Sequence, residues 1–162
     1  MTNLPAPKRA GHGHPWLTLL AVSLGLMMVA LDGTVVSIAN PTIGRDLHAV
    51  LAGLQWVTNG YLLAIATTLI IGGKLGDLFG RKKMFLLGVV AFTLASLGCG
   101  LSSSIGMLIA FRVAQGLGGA LMMPGTLSIL RTAFPAEKLQ MAVGVWAGST
   151  SLATASGPIV GG

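Results

Sequence analysis

Charge is what this sequence has least of. Lys, Arg, Asp and Glu make up 9% of the 162 residues, and only four residues are acidic. A soluble domain carries about a quarter charged residues. So short a chain with so few polar groups cannot cover a water-facing surface, whereas a bilayer removes that requirement. The single cysteine, Cys99, excludes an intrachain disulfide, and within an apolar run it reads as a small packed side chain. The three histidines are His12 and His14 near the start and His48 in a gap. They form no metal-ligand cluster, and no nucleophile–base constellation accompanies them, so neither an enzyme nor a metal or other cofactor is expected. The net charge of +6 invites a nucleic-acid reading. The cations sit in short gaps between apolar runs with no stacking aromatics among them, which argues against it.

What is abundant is hydrophobicity and glycine. Apolar residues make up 53% of the chain and 24 residues are Gly. Residues 1–15 are polar and rich in Pro, Gly and His, as expected of a cytoplasmic tail. Five apolar runs follow, over 16–39, 54–73, 84–103, 105–127 and 141–162. Each is close to the ~20 residues a spanning helix needs, and none alternates as a barrel strand would. The expected fold is all-α and integral to the membrane, with about five transmembrane helices. The first run is too long and wrongly flanked for a cleaved signal peptide.

Orientation follows from the gaps. Lys8, Arg9, Lys74, Arg81, Lys82, Lys83, Arg131 and Lys138 fall on one side, and Arg45 alone on the other. That bias predicts a cytoplasmic N-terminus, with Trp16 and Trp56 as interfacial anchors. Gly116, Gly119 and Ala120 in the fourth span, and Gly144, Gly148, Gly157 and Gly161 in the fifth, are spaced for close helix packing. Five spans ending abruptly at Gly162 is an odd count for a repeat-built transporter, and leads us to expect the first half of a longer protein.

Two ionisable residues lie deep in apolar runs: Asp32 in the first and Arg112 in the fourth. Each costs about 2.5–3.5 kcal/mol at depth on insertion scales unless paired or hydrated. Both lie about seven residues from the outer end of their span, about 10 Å down at ~1.5 Å per residue. The expectation is that they face a shared water-filled cavity and couple there. Desolvation disfavours the charged carboxylate and a guanidinium favours it, so displacing either tips the balance of a proton carrier. A static pair that only ties two helices is the alternative. Arg112, Gln115, Gly116, Gly119 and Met123 share one helical face. Gln55 and Asn59 are four apart in the second span and, with Gln115, are expected to face the interior as cavity lining or as interhelical hydrogen-bond partners.

The gap between spans two and three reads Gly73-Lys74-Leu75-Gly76-Asp77-Leu78-Phe79-Gly80-Arg81-Lys82-Lys83. Its glycines suit a tight turn, and no Gly-x-x-x-x-Gly-Lys-Ser/Thr pattern marks it for nucleotide phosphate. It resembles the G-x-L-a-D-r-x-G-r-k signature of the major facilitator superfamily, with Leu78 departing from the usual basic residue. Leu31-Asp32-Gly33-Thr34-Val35-Val36 with Pro41-Thr42-Ile43 resembles the first-span motif of the fourteen-span drug:proton antiporter branch, Ser37 and Asn40 departing. Arg112 to Ala120 resembles the span-four motif. Gly157-Pro158-Ile159-Val160-Gly161-Gly162, with Gly144 upstream and Ala153 in place of a usual Gly, resembles the antiporter motif of exporters.

The resemblance implies a proton-coupled exporter of drugs or other small organic molecules, with substrate, protons and lipid as its partners. It implies that Asp32 and Arg112 serve proton coupling, that Gly73, Asp77, Gly80, Arg81 and Lys82 form a gating loop, and that Gly144, Gly157, Pro158, Gly161 and Gly162 seal a bent helix. A metabolite or sugar importer of the same superfamily and a non-transporting membrane accessory protein are the alternatives. The chain alone is expected to be inactive, because five spans cannot build a two-bundle cavity.

Overall fold

The computed structural model describes the backbone of residues 14–161 and the side chains of residues 14–156. Five helices fill it: α1 (Pro15–Asp46), α2 (Leu51–Phe79), α3 (Arg81–Gly100), α4 (Ile105–Ala133) and α5 (Ala136–Gly161). Most of the expected tail lies outside the described residues. Pro15, expected in that tail, instead opens α1 at its first turn, where its missing N–H has no helical partner to lose.

The helices are mostly longer than the apolar runs. An apolar run measures only the hydrocarbon layer, while hydrogen bonding carries a helix on into the headgroups. α1 has 32 residues, about 48 Å at ~1.5 Å each. It continues through Pro41 and stops where the Leu47 N–H reaches the Ile43 carbonyl and His48 takes φ 48°. At the other extreme α3 ends at Gly100, short of the expected 103. Ser104 then caps α4, its Oγ accepting from the Met107 N–H at 3.3 Å.

The turn between α2 and α3 is tighter than its glycines suggest. Gly73 and Gly76 stay helical, and Gly80 alone makes the connection at φ 99°, a conformation open to a residue without Cβ.

α4 is the hub, packed between α2 and α3, while α1 packs chiefly on α5 and more lightly on α4. Missing side chains permit the α4 contacts. A Cβ on Gly116 would lie 2.6 Å from the Tyr61 carbonyl oxygen, one on Gly118 2.7 Å from the Phe92 nitrogen, and one on Gly72 2.5 Å from the Ala120 oxygen. Backbone atoms so placed cannot yield. Gly144 and Gly148 behave differently. A Cβ on either meets nothing within 4 Å, because α5 turns Ala142 and Ala153 inward instead.

Below the level of Asp32, Val29, Tyr61, Phe92 and Met122 form an apolar cluster with Val22 and Phe85. Leu86, Leu87, Val90, Leu94 and Leu97 of α3 are exposed on one stripe, the expected face of a helix bathed in lipid. α1 to α4 are long and apolar enough to cross a membrane by length and composition. α5 has 26 residues but carries Ser149, Thr150, Ser151, Thr154 and Ser156. Each of these hydroxyls bonds a carbonyl of its own helix, so none is left unsatisfied in an apolar medium.

Candidate functional site

α1 and α4 each carry one intramembrane charge, and the fold brings the two together. Arg112 Nη1 donates to Asp32 Oδ2 at 2.5 Å. Gln115, one turn along α4, donates from Nε2 to Asp32 Oδ1 at 2.7 Å. Gln115 Oε1 in turn accepts from Arg112 Nη1 at 2.9 Å. The three side chains form a closed triangle in which both carboxylate oxygens are occupied. Arg112 is 2% exposed and Gln115 1%, while the Asp32 side chain keeps 14%.

Two further contacts hold the guanidinium. Its Nε donates to the Val57 carbonyl at 3.4 Å, and its Cζ lies 4.1 Å from the centroid of the Tyr61 ring. A cation over an aromatic face is held by about 2 kcal/mol or more when desolvated. A buried charge with one partner removed is costly; here α2 supplies a carbonyl and a ring besides. Cys99 Sγ of α3 reaches Gln115 Oε1 at 3.6 Å, so all four helices α1 to α4 contribute.

The polar triangle forms the floor of a cavity of about 330 Å³ lined by α1, α2, α3 and α4. A second concavity, of about 660 Å³, lies between α1, α2, α4 and α5. Leu26, Leu69, Ile70, Met123 and Trp146 line it, with Thr150 among the few polar groups.

On α2 the expected polar pair does not reach this site. Gln55 and Asn59 are exposed and do not line the 330 Å³ cavity. The face turned to α4 is Val57, Gly60, Tyr61 and Ala64. Their i, i+3, i+4, i+7 spacing, with small residues and the chain's one tyrosine, is the sequence signal that marks it. On α4, Arg112, Gln115, Gly116 and Gly119 are buried, but Met122 rather than Met123 is the fully buried methionine.

At the opposite end Arg81 Nη2 meets Asp77 Oδ1 at 2.5 Å, across the Gly80 turn. Lys82 is exposed beside them. Of the expected fifth-span motif, Gly144 is exposed. Gly157, Pro158 and Gly161 continue α5 with side chains outside the described residues, and Gly162 lies outside them altogether.

Charges buried at matched depth, an all-helical bundle and small-residue packing meet an independent sequence match. The model of the Major Facilitator Superfamily matches residues 22–162. The chain belongs to the major facilitator superfamily. Within the superfamily it is similar to a tetracenomycin C resistance and export protein of Streptomyces glaucescens, with 56% identity over 156 residues. That match covers 96% of this chain and 29% of the relative. It is 50% identical over 149 residues to an uncharacterized MFS-type transporter of Mycobacterium tuberculosis, covering 92% of this chain and 26% of the other. It is 35% identical over 147 residues to a riboflavin transporter of Clostridioides difficile, covering 91% and 32%. The chain thus spans about three tenths of the length of these relatives.

Proposed function

We propose that this chain forms most of the first helical bundle of a proton-coupled exporter of small organic molecules, with its N-terminus in the cytoplasm. The carrying observation is the Asp32 carboxylate, set at membrane depth, paired to Arg112 and Gln115, and open to a cavity. A proton on Asp32 removes the negative corner of the triangle. Arg112 then keeps only the Gln115 oxygen, the Val57 carbonyl and the Tyr61 ring, all on α2 and α4. The bond between α1 and α4 is weakened, and α1 is freed with α5, on which it packs. A charge change at one group thereby biases a two-state movement of helices. Alternating access would follow from rocking this bundle against a second one about a midplane site.

The cation bias of eight to one supports the orientation. The 660 Å³ concavity suits an apolar substrate, and the tetracenomycin exporter supports efflux of such a molecule. Asp77 and Arg81 would then act at the cytoplasmic face as a gating contact. The similarity to a riboflavin transporter favours a second reading, import of a metabolite by the same geometry.

Transport by the full-length protein in energised vesicles tests the proposal. Asp32→Asn should leave substrate movement independent of the pH gradient; coupling that survives this change removes Asp32 as the carrier. Lower substrate accumulation in cells, abolished by an uncoupler, marks export, and higher accumulation marks import.

A further inference from the structure

The 330 Å³ cavity has a direction. From α1 it is lined by Asp32, Val36, Ala39 and Asp46, at intervals that follow one face of the helix to its last residue. Fourteen residues separate Asp32 from Asp46, about 21 Å at ~1.5 Å each. Across from this face stand Cys99 and Ser102 at the end of α3. The volume is far above the ~10–15 Å³ that one water needs, and the walls supply carboxylate, hydroxyl, thiol and amide partners. Toward the other end the way is closed by the packed side chains of Val29, Tyr61, Phe92 and Met122. The cavity is therefore an elongated shaft that leads from Asp32 toward the C-terminal ends of α1 and α3, where Asp46 and Ser102 line it. The 660 Å³ apolar concavity shares no lining residue with it.

We propose that this shaft is the external proton entrance to Asp32, running inside the first bundle and separate from the path of the substrate. The inference rests on the proton-coupled reading above. A hydronium ion in the shaft gives its proton to an Asp32 oxygen. One O–H bond breaks in the water chain and one forms on the carboxyl group, and the Arg112 contact at Oδ2 loosens. The titratable or charged groups facing Asp32 are Arg112 from α4, Tyr61 from α2 beneath that guanidinium, and Cys99 from α3 through Gln115. α5 carries no ionisable residue beyond Lys138. At the mouth, Asp46 is exposed and attracts cations, while Arg45 lies outside the lining and turns its Nε back to the Pro41 carbonyl.

Cys99 is a natural reporter inside the shaft. In the full-length protein in intact cells, the small membrane-impermeant reagent 2-sulfonatoethyl methanethiosulfonate, added outside, should modify it. The signal is read as labelling lost in Cys99→Ser. Ala39→Trp narrows the shaft and should lower both labelling and proton uptake about tenfold, with substrate exchange in the absence of a gradient retained. Asp46→Asn sits on the exposed mouth and tests the idea without touching packing. It should slow proton uptake about two- to threefold at low ionic strength and little at high, as for an electrostatic funnel. The proposal is overturned if Cys99 reacts only with reagent supplied from the cytoplasmic side. It is overturned equally if proton-driven transport proceeds at full rate with both the Ala39 and Asp46 variants folded. Labelling of Cys99 from outside with transport indifferent to the pH gradient would instead sink the proton-coupled reading and leave the shaft as an access route without a carrier.

Discussion

Two ion pairs in this chain have the same length and opposite surroundings. Arg112 and Asp32 meet at 2.5 Å with the arginine 2% exposed. Arg81 and Asp77 also meet at 2.5 Å, with side chains 40% and 59% exposed. Distance does not rank them. In water such a pair contributes about 0–1 kcal/mol, because each ion is well solvated alone. At depth in the bundle neither partner can be removed without stranding the other. The buried pair is thus a commitment of the fold, and its loosening has consequences. The exposed pair joins neighbouring helices across one glycine and can open and close cheaply, as the proposed gating contact would require.

The largest effect is expected from Asp32→Leu, which leaves Arg112 charged and unpaired. Breaking a buried pair from one side costs about 3–5 kcal/mol, to be read as a fall in melting temperature of the purified full-length protein. The double variant Asp32→Leu with Arg112→Met should recover most of that stability while losing all dependence on the pH gradient. A double variant no more stable than the single one would mean that the pair itself, rather than the stranded charge, holds the bundle.

The frame around the buried pair comes next. A Cβ at Gly118 would lie 2.7 Å from the Phe92 nitrogen, so Gly118→Leu should cost at least the roughly 1–3 kcal/mol of an overpacked core. At Gly144 nothing lies within 4 Å, and Gly144→Ala should be neutral or stabilising by up to ~1 kcal/mol from helix propensity. Similar losses at both positions would erase the contrast between the packed hub and the open face of α5.

Tyr61→Leu removes the ring beneath Arg112 and should destabilise by about 2 kcal/mol. Tyr61→Phe, which keeps the ring, should lose much less. Equal losses would assign the contribution to the hydroxyl. The smallest effect is expected at the exposed pair. Asp77→Asn should shift stability by less than ~1 kcal/mol, and 1 M salt, with a Debye length of ~3 Å, should abolish the shift. The Asp32→Leu deficit should persist in the same salt.

The depth of the two buried charges is legible in the sequence. Counting residues from the span ends puts Asp32 and Arg112 at the same level, and in the fold they are in contact. Gln115 shares the Arg112 face by its spacing, yet its place as third corner needs both helices in position. On α2 Gln55 and Asn59 are exposed in this bundle, and an exposed polar side chain and an interior one look alike in sequence. Gly76 reads as a turn signal but lies within α2, because tertiary packing and continued hydrogen bonding override a single residue's preference.

Read along the chain alone, the residues dictate partition into lipid, the number of helices and the depth of each charge. Those are properties along one axis, set by hydropathy and a constant rise per residue. Packing between helices settled the rest, namely which side of each helix meets which neighbour: the closed triangle, the ring beneath the arginine, the single turn at Gly80, and the outward face of Gly144. Rotation about a helix axis carries no signal of its own in a chain apolar on nearly every face, so the close approach of backbones at Gly72, Gly116 and Gly118 had to choose it.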